Sequence, residues 1–350
     1  MQYKREEVRD MNLYGEILKK LEGTPCLALE RSFVGEEGNL ADMRCELKEG
    51  AEASEIGKEA LTQGQPVCGR AGSSWNVAEP FFPKERLIIL GGGHVALPVA
   101  EFGARVGFLV TVVDDRLPMA EKVICDDFGH AIKELKIQES DYICIVTRGH
   151  RHDADCLRMI GKGKEPAYLG MIGSRRRVGI VKQELLEEGY DPERMSRLKS
   201  PIGLKIGGVT PEEIAISILA EIIQVKRMDR EDKRVKNRSD LDFDVLKRLA
   251  EEPDESKAVV TVIESKGSSP RGAGAKMIVY RDGRILGSIG GGCSEAAVLG
   301  EARSLIGSSR YKVVHVDLTG EAAEDEGMVC GGIMDVLVED FATDREPCDR

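Results

Sequence analysis

The segment from Leu87 to Asp114 constrains the fold more than any other, because it orders a strand, a glycine turn, a helix and a second strand. Residues 87–90 are a continuous apolar run, and residues 91–96 read Gly-Gly-Gly-His-Val-Ala. A helical pattern then extends to about Val106, and a second apolar strand covers 108–113. This order predicts a βαβ unit within a parallel, Rossmann-like sheet.

The glycine turn of this unit has the spacing of a dinucleotide-binding site. Gly91, Gly93 and Ala96 match the pattern G-x-G-x-x-[GA]. Asp114 ends the second strand, where it would accept a hydrogen bond from a ribose hydroxyl, and His94 would project near the helix N-terminus. Some domains keep such a turn only for packing of helix on sheet, so an occupied and a vestigial nucleotide site both remain open.

Two later strands end in polar segments at what would be the same edge of the sheet. The apolar strand 141–146 leads into a loop over 147–153, and the strand 167–171 leads into a glycine-serine turn that opens an arginine-rich helix. Strand ends of this kind suit a phosphate or another ligand, although a basic surface paired with glutamates is the alternative. Metal binding by His150, His152 and Asp153 also stays open, although their spacing fits no standard metal site. The candidate binding residues are Arg148, His150, Ser174, Arg175 and Arg176.

A second region of interest contains two glycine-rich turns around a cysteine. Residues 267–277 read GSSPRGAGAKM, residues 287–295 read GSIGGGCSE, and Cys330 precedes two further glycines. Glycine allows a ligand to approach backbone N–H groups, which predicts a site for an anionic group; plain hairpin turns are the alternative. The candidate ligand-binding residues are Ser268, Ser269, Arg271, Lys276, Gly291 and Gly292.

Cys293 and Cys330 are the cysteines predicted to be chemically active. The chain has nine cysteines and no C-x-x-C pair, so neither a zinc site nor a disulfide framework is predicted. Both candidates adjoin consecutive glycines, and Cys293 precedes a predicted helix over 296–305, whose N-terminus favours a thiolate. Cys144 lies in an apolar run and is predicted to be a small buried hydrophobe.

Length and charge limit the class of protein. A chain of 350 residues exceeds the usual size of one hydrophobic core, so two or three domains are expected. The net charge of −11 and the pI near 5.2 argue against nucleic acid as a partner. No apolar run reaches spanning length, and the charged N-terminus lacks the apolar core of a signal peptide, which predicts a cytoplasmic protein with no membrane partner.

The chain is predicted to contain three structured regions and a linker. Residues 1–82 form an N-terminal α/β segment, 83–227 the Rossmann-like domain, 228–240 a charged linker and 241–350 a smaller α/β (α+β) domain. Within the second region, Thr210 and Glu213 predict a capping box. The N-terminal segment shares a Leu-basic-basic-Leu helix before a strand with the last domain, which indicates a degenerate copy that lacks both glycine motifs.

Together these motifs resemble the XdhC/CoxI family of molybdenum hydroxylase maturation factors. GSSPRGAGAKM, GSIGGGCSE and the Cys-Gly-Gly at 330–332 are similar to the cysteine-bearing domain of that family. The segment 87–227 carries TRGHRHD, MIGSRRR, SPIGLKIG and TPEEIAISILAEI in that order, and it resembles the family's dinucleotide-fold domain. In the family's usual order the cysteine-bearing domain comes first, and this chain reverses that order.

The resemblance implies an accessory protein, rather than an enzyme, that binds molybdenum cofactor (molybdopterin). It would assist sulfuration and insertion of the cofactor into a xanthine dehydrogenase or aldehyde oxidoreductase type hydroxylase. The implied partners are the hydroxylase apoenzyme and a cysteine desulfurase, and a homodimer would suit presentation of the cofactor across an interface. Arg271 and Lys276 would meet the pterin with the glycine turns, and Cys293 or Cys330 would ligate molybdenum or relay sulfur.

Two other functions fit the same residues. In an NAD(P)-dependent oxidoreductase, Gly91, Gly93 and Asp114 would bind the nucleotide, and His94 or His150 would donate a proton. That function assigns no role to the domain that contains Cys293. In a docking module without a ligand, the glycine turns would only shape a surface for the hydroxylase or the desulfurase.

Overall fold

The computed structural model describes residues 12–114, 123–125, 127–228, 237–252, 255–318 and 332–341, and of residues 123–125, 150 and 293 the backbone alone. The described residues fall into two compact units. The central unit contains residues 84–228, and the two-ended unit joins residues 12–83 to residues 237–341. The two ends of the chain therefore build one unit, and the middle of the chain builds the other.

The N-terminal part of the two-ended unit contains an antiparallel sheet and two helices. Its elements are α1 (Leu13–Leu21), β1 (Leu27–Val34), β2 (Glu37–Asn39), a 3-10 turn (Leu40–Asp42), β3 (Arg44–Glu49), α2 (Glu55–Gln63), β4 (Val67–Ala71) and β5 (Ser74–Phe81). Asn12 and Ser54 cap the two helices, because each side chain accepts a hydrogen bond from a backbone N–H. Four strands pair antiparallel in the order β3-β1-β5-β4.

The central unit is a doubly wound α/β domain. Its elements are β6 (Arg86–Leu90), α3 (Ala96–Arg105), β7 (Leu109–Asp114), β8 (Val123–Cys125), α4 (Phe128–Leu135), β9 (Tyr142–Ile145), α5 (His150–Gly161), β10 (Tyr168–Met171), α6 (Arg175–Glu187), α7 (Pro192–Arg197) and α8 (Pro211–Met228). The strands pair in parallel in the order β10-β9-β6-β7-β8. This topology confirms the predicted Rossmann-like sheet.

Helices cover both faces of the parallel sheet, which explains why its strands are apolar throughout. Every residue of β9 is buried. Helices α4, α5 and α6 pack on one face, and α3 and α8 pack on the other. The first turn of α8 is held by the predicted capping box, in which Glu213 N donates to Thr210 Oγ1 (3.2 Å) and Thr210 N donates to Glu213 Oε2 (3.1 Å).

The C-terminal part of the two-ended unit is a second antiparallel sheet. Its elements are α9 (Phe243–Glu251), β11 (Lys257–Gly267), β12 (Lys276–Tyr280), β13 (Ile285–Gly287), α10 (Gly292–Leu305), β14 (Arg310–Asp317) and β15 (Gly332–Asp340). The strand order is β13-β12-β11-β15-β14, and β2 extends the sheet beyond β14. Helix α10 packs on one face of this sheet.

The two antiparallel sheets share their interior. Helices α1 and α9 pack with β1, β5, β11 and β12 in one apolar cluster. A second cluster joins strands of both sheets around Phe33, Trp75, Tyr311 and Leu337. Residues 12–83 are therefore part of the framework that supports the glycine turns of the C-terminal part. Within the described part of the chain, no helix combines the length and apolar character needed to cross a membrane.

Candidate functional site

The glycine turn after β6 is held tightly against the loop after β9. Gly91 has a φ of 119°, which favours glycine, and a Cβ at this residue would lie 2.5 Å from the carbonyl oxygen of Val146. Its N–H donates to the carbonyl of Val113 (2.7 Å). Gly91 is therefore required by the packing of three strand ends, whether or not a nucleotide binds.

Asp114 ties the end of β7 to the same turn. Its carboxylate oxygen Oδ2 accepts a hydrogen bond from Gly92 N at 2.6 Å, and the residue is buried. The sequence predicts that this carboxylate binds a ribose hydroxyl, and the structure gives it a bond to the turn itself. Gly93 and the exposed His94 follow, and a Cβ at Gly93 would meet no atom within 4 Å. Open space beside the turn thus lies at Gly93.

A buried carboxylate organises the strand ends of β9 and β10. Asp153 is fully buried, accepts a hydrogen bond from Thr147 Oγ1 (2.5 Å), and forms an ion pair with Arg177 of α6. The sequence predicts a loop over 147–153, but α5 already begins at His150, so that Asp153 lies in its first turn. Asp153 therefore links the loop after β9 to α6 through Arg177.

The predicted arginines of the central unit lie at the carboxyl edge of its sheet. Arg148, Arg175 and Arg176 are exposed, the last two in the first turn of α6. Ser174 caps that helix, since its Oγ accepts from Arg177 N (3.3 Å). Because β6, β9 and β10 are neighbouring parallel strands, their loops share one edge. The side chain of His150 lies outside the described groups.

In the two-ended unit, the structure brings the predicted glycine motifs together. A Cβ at Gly290 would lie 2.7 Å from Cβ of Pro270, and a Cβ at Gly332 would lie 2.5 Å from the backbone nitrogen of Ser269. The turn over 267–272 therefore contacts both the turn before α10 and the first residue of β15. Only glycine allows such close approach at both contacts. Cys330 itself lies outside the described residues.

The turn before α10 is organised by a carboxylate of the chain. Glu295 Oε1 accepts hydrogen bonds from Ser288 Oγ (2.6 Å), Gly291 N (3.0 Å) and Ile289 N (3.3 Å). Gly290, Gly291 and Gly292 all have positive φ, with values of 136°, 70° and 52°, a conformation that favours glycine. Part of the nest predicted for an anionic ligand is therefore occupied by Glu295. This residue belongs to the GSIGGGCSE motif but is not among the predicted site residues.

Helix α10 begins earlier than its sequence predicts. The expected helix covers 296–305, whereas the observed helix begins at Gly292 and contains Cys293 in its first turn. The start is held by Ser294 Oγ, which donates to Gly291 O (2.8 Å), and by Glu295. Cys293 therefore lies at the N-terminal end of a helix, where the dipole favours an anionic sulfur. The position of its side chain is outside the described groups.

Arg271 holds the first glycine turn in place. Its Nε donates to Asp240 Oδ2 (2.6 Å), one terminal nitrogen donates to the Asp240 carbonyl (2.9 Å), and Gly272 N donates to the same carboxylate (3.1 Å). Ser269 Oγ donates to the carbonyl of Arg271 (2.7 Å). Ser268 is exposed. The predicted anion-binding guanidinium is thus partnered by Asp240, and Ser268 is the polar side chain of this turn that faces solvent.

Lys276, predicted to face a ligand, lies instead in the interior between the two sheets. Its Nζ is 2.6 Å from Glu79 Oε2 and 2.8 Å from Thr261 Oγ1, and its side chain is fully buried. Glu79 also pairs with the buried Arg31. Burial by itself raises the pKa of Glu79, but Lys276 and Arg31 outweigh it and hold that pKa at about 2. Lys276 is therefore corrected from a ligand-binding to a core residue.

Three of the other cysteines are shielded by burial. Burial raises the pKa of the Cys144 and Cys156 thiols, and it raises the pKa of the Cys68 thiol to about 12. These three are protonated at neutral pH, which leaves them poor nucleophiles and metal ligands. Among the described residues, no cluster of three His, Cys, Asp or Glu side chains could hold a metal ion.

Comparison with known proteins assigns the central unit and the C-terminal part of the two-ended unit. Residues 87–222 match the family model described as the XdhC Rossmann domain, and residues 250–317 match the model of the XdhC and CoxI family. The two matches define an XdhC-type protein in which the Rossmann domain comes first. The chain belongs to the XdhC/CoxI family, as the resemblance predicts.

Three curated proteins are similar to this chain over parts of their length. YqeB of Escherichia coli K12, described as uncharacterized, is 34% identical over 168 residues, which are 45% of this chain and 30% of that protein. A protein of Bacillus subtilis strain 168, described as a probable xanthine dehydrogenase subunit, is 33% identical over 153 residues, or 41% of this chain and 44% of that protein. The molybdenum cofactor insertion chaperone PaoD of Escherichia coli K12 is 39% identical over 74 residues, 21% of this chain and 23% of PaoD. The chain spans less than half the length of each relative.

A solved structure from Bacillus halodurans, described as a xanthine dehydrogenase, aligns with 60% of this chain and 62% of that chain. The TM-score is 0.45 and the sequence identity is 24%. The fold assignment rests on the sheet topology and the family matches instead.

Proposed function

We propose that this chain is a cytoplasmic maturation factor that binds molybdenum cofactor and assists its sulfuration and insertion into a molybdenum hydroxylase. Membership of the XdhC/CoxI family supports this function. Two relatives carry names from the same chemistry, one of a molybdenum cofactor insertion chaperone and the other of a probable xanthine dehydrogenase component. The client would be a xanthine dehydrogenase or aldehyde oxidoreductase type apoenzyme, and a cysteine desulfurase would supply the sulfur.

The observation that carries the proposal is the convergence of the glycine motifs. The turn with Ser268 and Ser269 contacts Gly290 on one side and Gly332 on the other. Cys293 follows the first contact by three residues, and Cys330 precedes the second by two. Two cysteines that are far apart in sequence are thus attached to segments that meet at one turn.

The residue types at this turn fit a soft metal in a pterin complex. Thiolates are the protein ligands that soft metal centres prefer, so Cys293 or Cys330 would ligate molybdenum or carry sulfur to it. When bound, the cofactor supplies the metal chemistry of the client enzyme. This chain would supply the sulfur ligand, the hydroxyl of Ser268 and a rim without side chains at Gly291 and Gly292.

A phosphate group has more suitable donors in the central unit. Arg148, Arg175 and Arg176 are exposed at the carboxyl edge of its sheet, and Arg175 and Arg176 lie in the first turn of α6. Guanidinium groups and helix N-termini both bind phosphate oxygens. In the two-ended unit, Arg271 is paired with Asp240 and Lys276 is enclosed. We therefore propose a separate phosphate site in the central unit.

Anaerobic titration with molybdenum cofactor tests the proposal. The full chain is compared with Cys293→Ala and Cys330→Ala, and with Cys26→Ala as a control thiol outside the glycine turns. We expect saturable binding by the full chain and the control, and at least tenfold weaker binding when the ligating thiol is removed. Binding that is equal in all four proteins would exclude a sulfur ligand from the chain, and absence of binding would refute the cofactor site.

NAD(P)H in the same titration tests the second candidate, which the turn at Gly91 and Gly93 supports. Binding of NAD(P)H without binding of molybdenum cofactor would favour an oxidoreductase over a maturation factor. Absence of both, combined with capture of the hydroxylase apoenzyme or a cysteine desulfurase by the purified chain, would favour a docking module. Sedimentation of the free chain tests whether it forms a homodimer.

A further inference from the structure

The two parts of the two-ended unit have the same topology. Each begins with a helix, α1 or α9, that leads into an inner strand of its sheet, β1 or β11. The strand order β3-β1-β5-β4 of the N-terminal part corresponds to β12-β11-β15-β14 of the C-terminal part. Along the chain, α2 lies between β3 and β4, and α10 lies between the equivalent strands β12 and β14. The correspondence therefore covers four strands and two helices of each part, and β2 and β13 lie outside it.

The pairing of the central strands matches over Leu29–Arg31 and Val259–Thr261. In the N-terminal part Leu29 pairs with Glu79, and in the C-terminal part Val259 pairs with Glu339. Both pairs are antiparallel, and both place a glutamate opposite an apolar residue of the central strand. The two glutamates are thus equivalent positions of the two sheets. Both are buried.

The cations that meet these glutamates lie at a second equivalent pair. Two residues further along the central strands, Arg31 pairs with Cys45 and Thr261 pairs with Lys276. The N-terminal part carries its cation on the central strand, and the C-terminal part carries its cation on the neighbouring strand. Each part therefore contributes one buried cation and one buried carboxylate, at corresponding positions of the two sheets.

These charges join the two parts across their shared interior. Lys276 Nζ of the C-terminal part lies 2.6 Å from Glu79 Oε2 of the N-terminal part, and Arg31 of the N-terminal part lies 3.4 Å from Glu339 Oε2 of the C-terminal part. Lys276 and Arg31 thus each contact a glutamate of the opposite part, as they would across an approximate two-fold axis. Arg31 also forms an ion pair with Glu79 of its own part. The residues around them also occur in equivalent pairs, namely Val77 with Leu337 and Cys68 with Val313.

We infer that residues 12–83 are a second, site-less copy of the fold of residues 237–341, and that the sheet face carrying Lys276 and Glu339 is a surface for binding a second copy of this fold. The chain supplies that copy itself. The N-terminal copy has Gly-Glu-Glu-Gly-Asn at 35–39 where the other has GSSPR, and its turn before α2 reads Gly-Ala-Glu-Ala-Ser over 50–54, without a cysteine. One chain therefore presents one cysteine turn on a framework with the architecture of a dimer, whichever ligand that turn binds.

Exchange of the cation between equivalent positions tests this inference. Arg31→Thr combined with Cys45→Lys gives the N-terminal copy the arrangement of Thr261 and Lys276. If the copies are equivalent, the introduced lysine reaches Glu339 as Lys276 reaches Glu79. Unfolding in urea is followed by the fluorescence of Trp75, the single tryptophan, which is buried between the two sheets.

We expect Arg31→Thr to lower the urea midpoint and Cys45→Lys to restore at least half of that loss. Cys45→Met in the same background is the control, since methionine fills similar space without a charge, and it should restore less than a quarter. If Arg31→Thr prevents folding, recovery of a cooperative transition by Cys45→Lys alone is the expected rescue.

The reverse exchange, Thr261→Arg with Lys276→Cys, gives the C-terminal copy the arrangement of the N-terminal one. It should unfold at a higher midpoint than Lys276→Cys alone. A lysine at a position without equivalence would only bury a charge and lower stability. Equal midpoints for lysine and methionine at residue 45, together with no gain in the reverse exchange, would overturn the inference.

Discussion

Glu79→Gln should strongly destabilise the two-ended unit, because this carboxylate is the partner of two buried cations. Lys276 and Arg31 hold the pKa of Glu79 at about 2 instead of its ordinary 4.5. A shift of that size corresponds to about 3 kcal/mol of stabilisation by ionisation. Breaking a buried ion pair from one side costs about 3–5 kcal/mol in other proteins. Both values place the expected loss at about 3 kcal/mol or more.

Urea unfolding followed by Trp75 fluorescence measures this loss, because that residue lies in β5 and in the core between the two sheets. With a slope of about 1–3 kcal/mol per molar urea, the midpoint should fall by about 1 M or more. Glu36→Gln is the matched control, since Glu36 is 63% exposed and pairs with Arg70 on the surface. That control should change stability by less than about 1 kcal/mol. Equal midpoints for the two variants would refute the argument that the buried network stabilises the unit.

Glu79→Gln also tests how the stability of the folded chain depends on pH. The folded-state pKa of Glu79 is lower than its ordinary value, so its contribution is fully present above about pH 4.5 and is lost as the pH falls toward 2. Stability of the native chain should therefore decrease through this window more steeply than that of Glu79→Gln. Parallel acid profiles of the two proteins would show that Glu79 does not carry this proton uptake.

The remaining predictions concern the turns, with amide hydrogen exchange as the common assay. Glu295→Ala removes the acceptor of three hydrogen bonds and should lower the free energy of unfolding by about 2 kcal/mol. Amide exchange over 288–293 should be faster in this variant than in the control Glu301→Ala on the same helix. Similar exchange in the two variants would argue against an organising role for Glu295. Gly91→Ala should destabilise the ends of β6 and β9 by at least about 2 kcal/mol, because of its positive φ and the contact with Val146, whereas Gly93→Ala should leave exchange unchanged. Asp153→Asn should cost about 2 kcal/mol through the weakened bond to a partly exposed arginine, and unchanged protection of the loop after β9 would contradict this.

The central unit could be predicted from sequence because its signals are local. The strand, turn and helix from Leu87 onward follow each other directly, and the capping box of Thr210 and Glu213 lies within four residues. A buried parallel strand is apolar along its whole length, which makes β9 recognisable without knowledge of its neighbours. The predicted parallel sheet is confirmed for these reasons.

The core of the two-ended unit could not be predicted, because its contacts join distant parts of the chain. Glu79 and Lys276 are separated by 197 residues, and nothing around either residue indicates its partner. A lysine after a glycine-rich turn is typical of a phosphate site, but Lys276 is buried and paired with Glu79. The repeated Leu-basic-basic-Leu helices are the one sequence signal of the relation between the two ends, and the shared strand order is visible only in the folded chain.

The glycines of the two motifs differ in whether a neighbouring atom occupies the position of a Cβ. This difference distinguishes glycines required by packing from glycines that packing does not explain. Gly91, Gly290 and Gly332 each have a neighbour less than 3 Å from the position of a Cβ, so packing alone explains them. Gly93 and Gly291 have no atom within 4 Å of that position, so packing explains neither. Gly291 still needs its positive φ, whereas Gly93 is not among the residues with positive φ. Gly93→Ala therefore tests ligand approach without disturbing the fold. The added methyl group leaves the turn intact and fills only the space that a nucleotide would occupy.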